Sequence, residues 1–399
     1  MVKESTVEGN VLDSLLQSHS QYFASILNNK QALNVQVIYT QINRDANNHP
    51  SFKDYAFNVE ETNYFYPAST VKMPISLLAL QKLNELNKKG LDRKTSMVTD
   101  SSYAGEQKVF TDPLAADASP GIEQYIKEIF LLSDNTAFNR LYEFLGQEYI
   151  NTQLHNKGYK NAEILHRLSV PLTEEQNRHT NAVAFYDTSA NIIYQQAAQY
   201  HKRGYSKRNT LLGKGYYKGG ALINEPFNFS KKNRLTLPEL HGMLRSVIFP
   251  ESVPAQQRFN LTAADYDFLY KSMSTLPRES KAPVYDTADY WDAYVKFLLY
   301  GSEKGTLPNN IRIFNKVGDA YGFLTDVAYI VDFKTNTEFM LSATIYCNSD
   351  GIFNDDKYNY ETIGFPFMKN LGQVIYKYEL QRKKTHLPDL GKFKFDYND

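Results

Sequence analysis

The chain has 399 residues, 42% of them hydrophobic and 22% charged. This is an ordinary globular balance that excludes a disordered chain and allows two compact bodies or one large domain with insertions. Lys plus Arg and Asp plus Glu each total 44, so the net charge is zero. No basic excess exists to neutralise phosphates, and neither nucleic acid nor a membrane surface is expected as a partner. The 30 Tyr and 24 Phe against a single Trp are unusual. Such rings suit half-buried surfaces and ligand-contacting grooves, and a compositional habit of the organism gives the same count.

Cys347 stands alone, which excludes an intrachain disulfide and a C-x-x-C metal site. It lies in the alternating run 341–347 and reads as a small buried hydrophobe. No apolar run approaches the roughly 18 residues that a membrane span needs. The first ten residues, MVKESTVEGN, contain no apolar core of a leader peptide. A cytosolic protein and a mature chain that has lost its leader both fit.

In chain order, Leu12, Leu15, Leu16, His19, Phe23, Ile26 and Leu27 recur at helical spacing and predict one amphipathic helix of about four turns. Residues 34–42 predict a strand with Val35, Val37 and Tyr39 on one face. Asn47, Asn48 and Pro50 form the turn after it. A long helix is expected over 73–86, stopped by Lys88-Lys89-Gly90. Ser119-Pro120 opens the next helix, with Pro at its first helical position. Ser133-Asp134-Asn135 interrupts it, and a second helix runs on to Gly146.

Residues 184–234 mix Tyr, Gly, Asn and Lys and read as an inserted subdomain or long hairpin. Helical spacing returns over 236–248 and 263–273. From Ile311 the period becomes two, giving strands near 311–315, 325–331 and 339–347 before a closing helix over 363–380. Strands at both ends and helices between predict an α+β fold. The N-terminal strand should join the C-terminal meander in one antiparallel sheet flanked by helices, and the middle should form a helical lobe. Residues 11–68 and 290–399 would make the α/β lobe and 69–289 the helical lobe, with the insertion at about 184–234.

Chemistry concentrates at Ser69-Thr70-Val71-Lys72, the only S-x-x-K in the chain. Residues three apart share a helical face, so the Ser69 hydroxyl and Lys72 amine can meet. A serine hydroxyl needs an adjacent base to act as a nucleophile. A lysine can be that base when desolvation or nearby cations lower its pKa. At the start of a helix, the Ser69 N–H can also point at a developing oxyanion. Further along, Ser133-Asp134-Asn135 lies at a helix junction, and Lys316-Val317-Gly318 ends an alternating strand pattern. No His pair has metal-ligand spacing, so neither metal nor cofactor is expected.

S-x-x-K on a helix start, S-D-N at a helix junction and K-x-G on a strand resemble the motif set of class A β-lactamases and penicillin-binding proteins. The segments FYPASTVKMPISLLAL, LLSDNTAFNRLYEFLG and NKVGDAYGFLTDVAYIV are similar to that family around all three motifs. The likeness covers most of the chain outside 184–234 and implies a β-lactamase/transpeptidase-like fold. It also implies roles: Ser69 as the acylated nucleophile, Lys72 as its base and Ser133 as the proton shuttle. Asn135 would hold the substrate amide, and Lys316 would attract the substrate carboxylate. The N–H groups of Ser69 and Asp319, just past Gly318, would form the oxyanion hole.

Two departures stand out. Val317 replaces the hydroxyl residue that the family uses to bind the substrate carboxylate. The family's loop Glu for deacylation is missing between Arg167 and the 178–180 segment, where His179 replaces an expected Asp and Glu174 and Glu175 are the only acids. These two Glu are the candidate deacylation bases, and a solvated loop is their alternative reading. The resemblance implies a serine hydrolase acting on a β-lactam or related amide, in the periplasm or secreted. A D-alanyl carboxypeptidase or amidase on peptidoglycan peptides, and a penicillin sensor without turnover, stay open, as does the oligomeric state.

Overall fold

Period-two patterning decides the centre of the molecule. The computed structural model describes residues 10–101 and 108–397. The segment expected as one N-terminal helix is two, α1 (Val11–Ser18) and α2 (Ser20–Asn28). The break at His19 has a local cause. Ser18 Oγ and His19 Nδ1 both donate to Leu15 O, at 3.2 and 2.9 Å, and draw off a carbonyl that a continuous helix would use. Strand β1 (Gln36–Arg44) follows, turns at left-handed Asn48, and pairs with β2 (Pro50–Phe57), a strand that the sequence reading treated only as a turn.

The 3-10 turn Ala68–Val71 runs directly into α3 (Lys72–Leu86). This helix is buried over nearly its whole circumference, as a central helix must be. It ends at Asn87, whose left-handed backbone terminates it before the expected stop at Gly90. After β3 (Ser96–Thr99) comes α4 (Ile122–Leu132). Its N-cap is Gly121, so Pro120 precedes the helix and does not occupy its first position. Then come α5 (Asn135–Leu145), α6 (Gln147–Asn156) and the single turn α7 (Glu174–Asn177).

The 184–234 region is not one hairpin but belongs to a run of short strands that begins just before it, at His179. These are β4 (His179–Thr180), β5 (Val183–Tyr186), β6 (Ile192–Gln196), β7 (Gln199–Tyr200), β8 (Leu211–Leu212), β9 (Gly215–Lys218), β10 (Ala221–Ile223) and β11 (Phe227–Asn228). Helices α8 (Leu237–Ile248) and α9 (Ala263–Ser274) both begin with capping boxes, on Thr236 and Thr262. The chain closes with β12 (Ile311–Ala320), β13 (Phe323–Asp332), β14 (Thr337–Tyr346), β15 (Ile352–Phe353) and α10 (Phe365–Gln381).

The main sheet has five antiparallel strands in the order β12-β13-β14-β1-β2, so the N-terminal strand does join the C-terminal meander. Both faces are covered. Along β13, Val327, Tyr329 and Val331 belong to the core shared with α3, α5 and α8, while Ala328 and Ile330 belong to the core beneath α1, α2 and α10. Strand β12 is left as an edge, with one face sharing each core: Phe314 points one way, Ile313 and Val317 the other.

The aromatic surplus has a place in this architecture. Phe227 and Phe229 of the short-strand region pack against Tyr321 and Phe353 in tilted and edge-on contacts at centroid distances of 5.0–5.7 Å, apart from one Tyr321–Phe353 contact at 6.2 Å. That cluster braces the β12–β13 turn, where Tyr321 and Gly322 both have positive φ, as a two-residue hairpin turn requires.

Candidate active site

Three elements bring the motif residues together. Ser69 sits on the 3-10 turn after Ala68, whose φ of 46° is a strained value for a non-glycine residue. Lys72 begins α3 with no exposed surface. Its Nζ lies 2.8 Å from Ser69 Oγ, 2.7 Å from Asn135 Oδ1, 2.5 Å from Ser133 O and 3.2 Å from Ser133 Oγ. Burial lowers its pKa to about 7, against the opposing pull of the Asp134 and Asp319 carboxylates.

The S-D-N segment divides its labour by position. Ser133 closes α4 in a left-handed conformation, φ 61°. Asp134 caps α5 by accepting the Ala137 N–H at 2.7 Å. Asn135 opens α5 and faces Lys72.

From the other side comes β12. Lys316 Nζ donates to Ser133 Oγ at 2.8 Å and to Val317 O at 2.9 Å. Its pKa is pushed well down by burial and by the neighbouring Lys72 cation. The Ser133 hydroxyl therefore bridges two amines, which suits it to pass a proton. A Cβ on Gly318 would stand 2.9 Å from Ser69 N, 2.8 Å from Thr70 N and 2.6 Å from Pro67 O. Only glycine lets the strand lie this close to the turn. Asp319 follows at the exposed end of the strand. Desolvation raises its pKa, against the opposing pull of Lys316 and Lys72. Val317 is turned away and buried in the core under the terminal helices.

The loop acids lie elsewhere. Glu174 pairs with Lys231 at 2.5 Å and Arg178 at 3.6 Å. Glu175 is exposed, 3.3 Å from Tyr200 Oη and 3.8 Å from His179. Neither has a hydrogen bond or ion pair to Ser69, Lys72, Ser133 or Asn135. The residue of this loop that does reach the cluster is Ser169, whose Oγ accepts from Asn135 Nδ2 at 2.8 Å. His166 is held neutral, its pKa lowered to about 4 by burial and by Lys232. Its Nδ1 donates to Arg167 O and its Nε2 accepts from Asn233 N.

Several supporting residues escaped the sequence reading. Asn139 clamps Leu168 through both its N–H and C=O, at 2.9 and 3.0 Å. Glu143 pairs with Arg167. With Asn135 these make a polar stripe along α5 that grips the loop, and Gln147, the first residue of α6, adds a hydrogen bond from its Nε2 to Leu165 O at 2.8 Å. Four-residue spacing of polar side chains on a buried helix was the available signal. Beneath β12, Lys296 Nζ donates to Asn315 Oδ1 at 2.6 Å, and Asn315 Nδ2 donates to Asp326 Oδ1 at 2.8 Å. This buried chain fixes the strand one residue before Lys316. Among the described residues, no group of three or more His, Cys, Asp or Glu is arranged to hold a metal, and no helix is long and apolar enough to cross a membrane. A cavity of about 680 Å³ lies away from this cluster, between α4, α9 and the side chains of Phe395 and Tyr397, and no motif residue lines it.

The fold is that of the β-lactamases, an α+β arrangement of antiparallel sheet and flanking helices. The similar solved structures include a β-lactamase from Xanthomonas campestris pv. campestris, 13% identical, covering 92% of this chain and 100% of that one with a TM-score of 0.50. A class A β-lactamase from Clostridium kluyveri is 14% identical over 90% of this chain and 98% of its own, also at 0.50. In sequence, residues 19–208 match the β-lactamase enzyme family. The resemblance to class A β-lactamases thus extends from the motifs to the fold. No curated protein matches the chain in sequence.

Proposed function

We propose that the protein is a serine acyl-transfer hydrolase that forms an acyl-enzyme on Ser69 with a β-lactam or a related cell-wall amide. One observation carries this reading: the buried Lys72 amine, with a pKa brought to about 7, lies 2.8 Å from Ser69 Oγ. An amine of that pKa is substantially neutral near pH 7 and can take the hydroxyl proton as Oγ attacks the carbonyl. The resulting oxyanion would lie between the N–H groups of Ser69 and Asp319. The C–N bond then breaks as Ser133 passes a proton to the leaving nitrogen, drawing on Lys72 or Lys316. Water releases the acyl group in a second step.

The engagement of Glu174 and Glu175 by surface partners favours slow deacylation, which fits a D-alanyl peptidase, an amidase or a non-turnover sensor better than a fast lactamase. A periplasmic or secreted location goes with such substrates. The test is covalent labelling by a fluorophosphonate. Ser69→Ala should abolish it, and Lys72→Ala should slow it by about 10²–10⁴, the usual worth of a positioned base. Equal labelling of Ser69→Ala and native protein would refute the assignment. Chromogenic cephalosporin then separates the substrates: turnover indicates a lactamase, a single burst a sensor, silence another amide.

A further inference from the structure

A second cavity, of about 450 Å³, lies at the end of the main sheet where β13 begins and β14 ends. Aromatic rings form one side of it. Phe323 and Tyr346 pair across the two strands with ring centroids 4.6 Å apart, and Tyr64 meets Phe323 edge-on at 6.5 Å. A second side comes from Gln31, Asn34 and the stretch 62–64, which runs on into the Ser69 turn. The remaining side, residues 209–213, belongs to the short-strand region, the part of the chain outside the family resemblance. This side is held in place: Thr210 N donates to Ser230 Oγ at 2.9 Å, and Thr210 O accepts from Phe229 N at 2.8 Å. Among the described residues no charged side chain lines the cavity, in a chain that is 22% charged. The side chains of Thr62, Asn63 and Asn209 make no hydrogen bond to any described residue, and Gln31 uses only its Nε2, on Asn58 Oδ1 at 3.1 Å.

We propose that this cavity is a binding site for a neutral saccharide. Its volume falls within the roughly 300–1,000 Å³ of small-molecule sites. A sugar has an apolar face and a rim of hydroxyls that both donate and accept. The rings of Tyr64, Phe323 and Tyr346 suit the face. The unused amides of Asn63 and Asn209 offer donors and acceptors together, and so suit the rim. A charged ligand would lose its hydration here with no opposite charge in the lining to offset the loss. An N-acetylated sugar fits equally well, because its amide is neutral and bonds as the Asn amides do. Peptidoglycan peptides hang from a chain of such sugars, so the site accords with the proposed function, but sugar binding does not require acylation on Ser69.

Titration calorimetry of the full chain with chitotetraose, a neutral chain of N-acetylglucosamine, tests this. Native protein should show a heat of binding, and Asn63→Ala and Asn209→Ala should each weaken the affinity by about two- to tenfold, the usual worth of a hydrogen bond. Neither side chain has a hydrogen-bond partner to lose, so both variants should keep native circular dichroism and native fluorophosphonate labelling of Ser69. Added salt should leave the affinity unchanged, since a neutral ligand has no charge to screen. Anionic tetragalacturonate should not bind. Absence of a binding heat with chitotetraose, native affinity in both variants, or equal affinity for tetragalacturonate would overturn the saccharide site. Tighter binding of an uncharged peptide, acetyl-tetraalanine amide, would overturn it too. None of these results bears on Ser69, and failure of Ser69 to label would overturn the proposed function while leaving sugar binding standing.

Discussion

Arg167 and Glu143 face each other with both side chains wholly buried, Nη2 and Oε1 2.5 Å apart. The guanidinium also donates to His179 O at 2.7 Å, and Glu143 Oε2 accepts the Asn181 N–H at 2.6 Å. A carboxylate from α5 thus ties down both ends of the loop, the far end through the His179 carbonyl and the Asn181 N–H. Removing one partner strands a buried charge, so Glu143→Ala should cost about 3–5 kcal/mol. Glu143→Gln should cost less, since an amide oxygen still accepts. Urea midpoints check both, and an unchanged midpoint for Glu143→Ala would disprove the anchoring role.

Lys72 gives a pH prediction. Its pKa falls from 10.5 to about 7 on folding because burial penalises the cation. The neutral amine grows in as pH rises through about 7, so the rate of Ser69 acylation should climb below that pH and level off above it. Between about 7 and 10.5 the unfolded chain holds a proton that the folded chain has lost, so this residue's contribution to stability rises with pH across that window. Lys72→Met should flatten the rise by up to about 1.4 kcal/mol per pH unit. Acylation rates that are flat from pH 5.5 to 8.5 would remove Lys72 as the base.

Gly318→Ala probes the contact between strand and turn. The three atoms its Cβ would meet first, all within 3 Å, are backbone and cannot swing aside. The strand must shift outward, carrying Lys316 and Asp319 with it. Misplacement on the scale of 1 Å costs on the order of 10² in rate. The fluorophosphonate labelling rate should fall by about that factor, while circular dichroism stays native. Full labelling would mean that β12 does not shape the site.

Much of this was legible in the sequence, and the parts that were not share a cause. The meander strands announced themselves through long β-branched and aromatic runs, and the motif positions through their short spacing within single elements. The break at His19 turns on which side chain captures Leu15 O, a competition that periodicity does not record. Strand β2 is an edge with mixed burial, so its alternation is weak. Glu143 and the Lys296–Asn315–Asp326 chain act through partners distant along the chain, and only tertiary packing pairs them.

Deacylation is where the loop decides the outcome. Attack by Ser69 has Lys72 beside it, but attack by water on the ester needs a base of its own. Glu174 is held by Lys231 and Arg178, and Glu175 lies exposed against Tyr200 and His179. Ser169, which does touch Asn135, is too weak a base to replace a carboxylate. An acyl-enzyme formed with a β-lactam should therefore persist for minutes or longer, visible as a stable mass increase on the intact protein. Glu174→Gln and Glu175→Gln should leave its lifetime unchanged. Rapid clearance in native protein, abolished by either substitution, would restore that Glu as the base. Rapid clearance in all three proteins would instead point to Lys72, which regains a neutral amine once its proton has left with the leaving nitrogen through Ser133.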